Sequence, residues 1–110
     1  MSNLMIEVSR DTYEDEVLKS ELPVLVDFWG PRCAPCLAMM PEVEKMAEEY
    51  QGRVKFCKVN SKDNRRLVVE LKVMALPTFL FYKGGEVVGK LIGAEVTKEN
   101  IVAKLEELVA

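Results

Sequence analysis

The run of apolar residues from Pro23 to Trp29 constrains the fold of this chain more than any other segment. Only Asp27 interrupts it. A strand with one face in water alternates apolar and polar side chains, whereas a strand covered on both faces is apolar almost throughout. We therefore predict a central strand here, in a sheet that carries helices on both of its faces.

The segment before this run predicts a strand followed by a helix. Residues 4–8 alternate enough to form a short strand. Asp11 and Glu14 resemble a capping box, so we expect a helix to open there. The side chains that this helix would turn inward are Tyr13, Val17 and Leu18.

A second helix is predicted over residues 35–50, ending at Gln51 and Gly52. The later elements are a strand over 54–59, a short helix over 63–72, a hairpin of 78–82 with 86–92 around Gly84 and Gly85, and a last helix that is capped by Thr97 and turns Ile101, Leu105 and Leu108 inward. This order predicts an α/β fold whose sheet is parallel in its first half and antiparallel at one end. The 110 residues suit a single domain, 1–110.

Two cysteines, Cys33 and Cys36, stand three positions apart just after the apolar run. The helical pattern begins at Cys36, where unpaired backbone N–H groups and the helix dipole favour a thiolate. Two thiols at that spacing can lie about 5–6 Å apart at Cα, within reach of a disulfide. We expect Cys33 to attack a substrate disulfide and Cys36 to resolve the mixed disulfide. Pro35 suits the first helical positions and helps to hold the two sulfurs in register.

Two other interpretations of the cysteine pair are weaker. A structural zinc site needs four ligands, and the chain has three cysteines and no histidine. A static disulfide is typical of small exported scaffolds, which are denser in cysteine than this chain. We expect the third thiol, Cys57, to be a buried core residue, with a regulatory thiol as the alternative.

Three motifs resemble those of the thioredoxin family. The segment Trp29–Cys36 resembles the family's active site, Val26–Trp29 its preceding strand, and Ala75–Thr78 its cis-proline loop. The family's lysine, hairpin and substrate-side glycine are matched by Lys58, Gly84-Gly85 and Gly93-Ala94. The resemblance covers essentially the whole chain and implies the thioredoxin fold, a central mixed five-stranded sheet flanked by four helices.

The resemblance implies a protein disulfide reductase that transfers two electrons to target disulfides through its own thiols, with no cofactor and no metal. A thioredoxin reductase, linked either to NADPH or to ferredoxin, would reduce it again. We expect a monomer, and a cytoplasmic one, since residues 1–10 lack the layout of a signal peptide and no apolar run could span a bilayer. A mature exported form that has already lost its signal would look the same. With a net charge of −3 and no basic run longer than Arg65-Arg66, the chain is a poor partner for nucleic acid or anionic membranes.

The resemblance also assigns roles to residues outside the cysteine pair. Asp27 would be a partly buried acid whose raised pKa lets it accept the Cys36 proton, with Lys58 tuning it electrostatically. The alternative is an Asp27 that faces solvent or pairs with Lys58. Pro77 would follow a cis bond and place the backbone of Leu76 against an extended substrate segment, whereas sequence alone favours an ordinary proline at a strand start.

The substrate surface that the resemblance implies also includes Trp29, Pro35 and Gly93. Arg32 and Ala34 depart from the family, which most often has Trp and Gly at these positions. Arg32 places a fixed positive charge beside Cys33, so we expect a lower Cys33 pKa and a more oxidising potential than is typical. Both departures touch the surface that a standard NADPH-dependent thioredoxin reductase must recognise.

Two rival functions remain open on the sequence. Arg32 makes a thiol oxidase or isomerase conceivable, although Pro35 stands where many oxidising relatives have His. The other rival is a subunit that uses the fold for binding and does not need the thiols. The presence of Cys33, Cys36, Asp27 and Pro77 together argues against binding as the only role, because scaffolding alone needs none of them.

Overall fold

The structure, a computed structural model, describes residues 4–110 and contains a five-stranded mixed sheet. The strands are β1 (Met5–Glu7), β2 (Val24–Trp29), β3 (Lys55–Asn60), β4 (Thr78–Lys83) and β5 (Glu86–Ile92), in the order β1-β3-β2-β4-β5. The pairings of β3 with β1 and β2 are parallel, and those of β4 with β2 and β5 are antiparallel. The predicted change from a parallel to an antiparallel half is confirmed.

The helices lie on both faces of the sheet. They are a short π-helical turn (Glu14–Leu18) and the α-helices α1 (Ala34–Glu49), α2 (Arg65–Glu70) and α3 (Lys98–Val109). A 3-10 turn (Gly93–Glu95) joins β5 to α3. Thr97 caps α3 as predicted, since its hydroxyl accepts a hydrogen bond of 3.1 Å from the backbone N–H of Asn100.

The central strand β2 contributes side chains to two separate hydrophobic cores. Leu25 packs with Val43 of α1 and Ile101 of α3 on one face of the sheet. Val26 and Phe28 belong to the core on the other face. All of these side chains are nearly or completely buried, so the prediction of a strand covered on both faces is confirmed. Truncating Leu25 or Phe28 to alanine would cost about 2–5 kcal/mol of stability.

The hairpin between β4 and β5 requires glycine at its turn. Gly84 and Gly85 both have positive φ, 62° and 82°. A Cβ at position 85 would lie 2.8 Å from the backbone oxygen of Leu18, too close for any side chain. The turn therefore packs directly against the end of the π-helical turn.

The first helix differs from the sequence prediction. The capping box of Asp11 and Glu14 is wrong, because the helical turn over Glu14–Leu18 has no side-chain cap. Just before it, the backbone N–H of Ser9 donates a hydrogen bond of 3.0 Å to the hydroxyl of Thr12. Tyr13 and Val17 are buried as expected, but Leu18, the last residue of the turn, is 40% exposed, so the prediction that it faces inward is wrong.

Two helix boundaries are also corrected. Helix α1 begins at Ala34, before the start predicted from its periodicity, and it ends at Glu49. Helix α2 spans Arg65–Glu70 only, so the prediction over 63–72 was too long at both ends. The chain turns at Lys72, whose φ of 58° does not continue a right-handed helix.

Candidate active site

The two cysteines form a disulfide at the first turn of α1. Their Cα atoms lie 5.2 Å apart, within the expected range. Cys33 is the N-cap of the helix, and its Sγ accepts a hydrogen bond of 3.2 Å from the backbone N–H of Cys36. The helix thus begins one residue before the predicted range of 35–50 and two residues before Cys36, where its amphipathic pattern starts. Both sulfurs lie at the positive end of the helix dipole.

The two sulfur-bearing residues differ in their access to solvent. Cys33 is half-buried, whereas Cys36 is only 2% exposed. Two backbone hydrogen bonds hold Cys33 in this position. The N–H of Cys33 donates to the oxygen of Gly30, and the N–H of Leu37 donates to the oxygen of Cys33. A substrate can reach Cys33 but not Cys36, which fits an attacking and a resolving thiol.

Asp27 is buried in the centre of the sheet. It is 2% exposed, so the alternative in which it faces solvent is excluded. Because side chains alternate along a strand, Asp27 shares the α1 face of the sheet with Leu25. Burial raises its pKa from 3.8 to about 7, and its Oδ1 has no hydrogen-bond partner among residues 4–110. A carboxyl with this pKa can take up or release a proton near neutral pH.

Lys58 lies opposite Asp27 in the parallel pair of β2 and β3. Its positive charge lowers the pKa of Asp27, but less than burial raises it. The described residues contain no ion pair between the two side chains, so the alternative of a direct pair is not observed. Lys58 therefore acts on Asp27 through the electric field rather than through contact.

The loop before β4 contains the expected cis bond, between Leu76 and Pro77. Thr78 anchors the loop by donating its hydroxyl hydrogen to the oxygen of Ala75, at 2.5 Å. The backbone oxygen of Pro77 accepts a hydrogen bond of 2.8 Å from the N–H of Gly93. Leu76 reaches across to Gly30, where a Cβ would lie 3.1 Å from its Cδ1. The loop thus connects the cysteine loop with the end of β5.

A groove of about 550 Å³ runs between this loop and the first turns of α1, and we call it the docking groove. The predicted substrate residues Pro35, Leu76, Pro77 and Gly93 all line it. Met39 and Val96 add further apolar surface, and Glu42 is the one carboxylate at its wall within the described chain. The groove is suited to an extended apolar segment next to the disulfide.

The other predicted substrate residues lie elsewhere. Arg32 and Ala34 are exposed on either side of Cys33. Trp29, at the end of β2, is not among the residues that line the docking groove. It lines a separate cavity with Asn60, Asp63 and Asn64. Its Nε1 is buried without a hydrogen-bond partner in the described part of the chain.

Sequence reasoning missed a second cavity beside Cys33. Ser61 and Lys62 of the loop after β3, and Arg65 at the start of α2, help to form its wall. The basic pair Arg65-Arg66 was visible in the sequence, but nothing in the sequence placed Arg65 next to the cysteines. Only the parallel pairing of β2 with β3 brings the two segments together, because it places the residues that follow both strands at the same edge of the sheet.

Cys57 is fully buried in β3 and is not in a disulfide. Burial raises the pKa of its thiol to about 12, so it stays protonated and unreactive. The expectation of a core cysteine is confirmed.

Comparison with known proteins decides the family. The thioredoxin family model matches residues 4–107, nearly the whole chain. The chain belongs to the thioredoxin family. Its disulfide, its five-stranded mixed sheet and its helices are those of a thioredoxin-type protein, and its function is dithiol–disulfide exchange.

Several thioredoxins resemble the chain over almost its full length. It is 42% identical to the thioredoxin of Peptoclostridium acidaminophilum over 109 residues, 99% of each chain. It is 39% identical to thioredoxin 1 of Nostoc sp. over 101 residues, 92% of this chain and 94% of that one. It is also 39% identical to the chloroplastic M-type thioredoxin of Chlamydomonas reinhardtii over 100 residues, which cover 91% of this chain and 71% of that one.

Thioredoxins work with their own active-site cysteines and need no cofactor. Among residues 4–110 there is no cluster of three His, Cys, Asp or Glu side chains that could hold a metal ion. In the same part of the chain, no helix combines the length and apolarity needed to cross a membrane. Reductases and disulfide-containing targets are the partners that the family implies.

Proposed function

We propose that this chain reduces protein disulfides with Cys33 as the attacking thiol and Cys36 as the resolving thiol. The difference in exposure between the two cysteines carries this assignment, because only Cys33 can meet a folded substrate. The Cys33 thiolate attacks one sulfur of the target disulfide. A bond forms between Cys33 and that sulfur, the target's own S–S bond breaks, and its other sulfur leaves as a thiolate that takes a proton from solvent.

In the second step, Cys36 gives up its proton and attacks Cys33. The Cys33–Cys36 disulfide forms, the mixed disulfide breaks, and the second target sulfur leaves as a thiolate. We assign the proton of Cys36 to Asp27, directly or through a water molecule. The burial of Asp27 on the α1 face and its pKa of about 7 support this role. Lys58 adjusts that pKa and is a positioning residue.

We assign substrate docking to the groove and to the residues around Cys33. The Leu76 backbone precedes the cis bond and can pair with an extended target segment, while Pro35, Pro77 and Gly93 supply flat contact surface. Arg32 and Ala34 contact the target beside Cys33, and Trp29 supports the cysteine loop from its far side. The intact chain acts as one domain, 1–110, and as a monomer.

Two electrons and two protons from a thioredoxin reductase restore the dithiol. We propose a cytoplasmic location, where the redox poise keeps such dithiols reduced. The electron donor is a reductase linked either to NADPH or to ferredoxin. We keep both because the relatives include thioredoxins of bacteria and of chloroplasts.

The test is the reduction of a model protein disulfide by the purified chain, first with dithiothreitol and then with NADPH and a standard thioredoxin reductase. We expect turnover with dithiothreitol. Turnover with the NADPH system as well identifies that reductase class as a partner despite Arg32 and Ala34. Activity with dithiothreitol alone would mean that the electrons come from a different donor. A ferredoxin-linked reductase is then the next donor to test.

Activity with neither donor would contradict the proposal and favour the binding subunit. The double variant Cys33→Ser, Cys36→Ser gives a second criterion. If it still supports the cellular function, the thiol chemistry is not what the cell uses. The reduction potential separates a reductase from an oxidase, because an oxidase would have a potential well above that of typical thioredoxins.

A further inference from the structure

A cavity of about 600 Å³, separate from the docking groove, lies next to Cys33. Cys33 forms part of its wall, together with Pro31 and Arg32 of the cysteine loop and with Lys62 and Arg65 beyond β3. Leu76 lines both this cavity and the docking groove. A target segment bound at Cys33 therefore has two places for the residues that flank its disulfide, one on each side of Leu76.

The charged side chains that line this cavity in the described part of the chain are all positive. They are Arg32, Lys62 and Arg65, and none of the described aspartates or glutamates lines it. We call it the basic cavity. Within residues 4–110 none of these three side chains belongs to an ion pair. On the same helix as Arg65, by contrast, Arg66 pairs with Glu70, which also contacts Arg10. The charges of the basic cavity are thus not neutralised by the protein itself.

The uncharged part of the wall of the basic cavity suits a short side chain that ends in a charge. Pro31 and Leu76 offer apolar surface for its aliphatic part. Ser61 adds a hydroxyl whose oxygen has no hydrogen-bond partner in the described chain. A cavity of this volume can hold the side chains that flank a target disulfide.

We propose that the basic cavity is a specificity site, which selects protein disulfides with carboxylate side chains next to the cysteine that Cys33 attacks. The docking groove receives the apolar part of the target and the basic cavity receives its acidic part. The inference rests on Cys33 being the attacking thiol. The cations act on binding and on the rate of encounter, and they do not change the bonds that form and break.

The test uses two peptides that each contain one disulfide and differ only beside it, with two Glu in one and two Gln in the other. The measured quantity is the ratio of their kcat/KM values, acidic over neutral, at low ionic strength. For the unmodified protein we expect a ratio of about 5, since exposed charge pairs contribute little each and add over two cations. The ratio should approach 1 at high salt because the cavity is open to solvent.

The variant Lys62→Gln, Arg65→Gln should lower this ratio toward 1. Its matched control is Lys45→Gln, Lys90→Gln, which removes the same two positive charges from exposed positions outside the cavity wall. The control should keep the ratio of the unmodified protein. All four side chains are exposed, so the fold should tolerate both variants.

Three results would overturn the specificity site. One is an equal rate for the two peptides with the unmodified protein, and another is an unchanged ratio in the Lys62, Arg65 variant. The third is an equal fall of the ratio in the Lys45, Lys90 control, which would show that net charge alone causes the effect. A failure to reduce even the neutral peptide would instead contradict the assignment of Cys33, so the two failures are distinguishable.

Discussion

The active site has a buried floor and an open rim, and the two use charge in different ways. The floor consists of Asp27 and Cys36, each 2% exposed. The rim consists of Cys33 and the basic cavity with Arg32, Lys62 and Arg65. One carboxyl in the floor has its pKa raised to about 7. Three cations in the rim are open to water, which screens them strongly.

This difference shows how burial divides chemistry from recognition. In the floor, loss of solvent penalises the charged form of Asp27 and turns it into a group that exchanges protons near neutral pH. In the rim, the charged side chains keep their contact with solvent, so each charge contributes only a modest attraction or repulsion. We therefore expect large effects from changes to the floor and small, salt-dependent effects from changes to the rim.

The largest expected effect comes from the cysteines themselves. Cys36→Ser should stop turnover and trap a mixed disulfide between Cys33 and the target, because no resolving thiol remains. Cys33→Ser should stop turnover without trapping. The check is electrophoresis without reductant after mixing with a target protein. Cys57→Ala is the matched control, since this thiol is buried and unreactive, and it should keep activity. Trapping by Cys33→Ser would reverse the roles of the two thiols.

The next effect concerns proton transfer in the floor. Asp27→Asn should slow the resolving step by about 100-fold above pH 7, where the native carboxyl is ionised and can accept the proton. Rapid-mixing kinetics with a preformed mixed disulfide measure this step. The contribution of Asp27 to the pH profile, centred near pH 7, should disappear in the variant.

Lys58→Gln gives the matched control for this experiment. Lys58 lowers the pKa of Asp27, so its removal should shift the Asp27 inflection to higher pH and keep its amplitude. An unchanged profile in both variants would contradict the role of Asp27 as proton acceptor.

Burial of Asp27 also makes stability depend on pH. The folded pKa of about 7 is above the unfolded value of 3.8, so the folded state binds the proton more tightly. The stabilising contribution is therefore fully present below pH 3.8 and is lost as the pH rises through 7. Asp27→Asn removes this loss. Its free energy of unfolding relative to the native protein should rise between pH 4 and 8, by on the order of 4 kcal/mol.

Urea unfolding of both proteins across this pH range measures the difference. Using the difference removes the contributions of the other titrating groups, which both proteins share. A difference that stays constant from pH 4 to 8 would show that Asp27 is ionised in the folded protein throughout.

The smallest expected effect belongs to the rim. Arg32→Gln should raise the pKa of Cys33 slightly, because one exposed positive charge no longer stabilises the thiolate. The potential should then become more reducing. Thiolate absorbance during a pH titration of the reduced protein measures the pKa, and Arg66→Gln, on α2 and outside the cavity wall, is the control. An equal shift in both variants would mean that Arg32 has no local influence on Cys33.

Most of the fold was predictable because local patterns and tertiary packing agree. The apolar run of β2, the glycine turn after β4 and the Thr97 cap each indicate one structure, and each is confirmed. The first helix was less predictable. Asp11 and Glu14 satisfy a capping pattern, but Ser9 and Thr12 hydrogen-bond there instead, and the short π-helical turn leaves Leu18 outside the core.

The sequence by itself determined the redox pair and the family, because two cysteines after a buried strand and before an amphipathic helix are local features. It could not determine that Asp27 loses nearly all solvent, since that depends on α1 and the neighbouring strands covering it. Nor could it place Lys62 and Arg65 beside Cys33. That juxtaposition joins segments about 30 residues apart, and the long-range parallel pairing of β2 with β3 decides it.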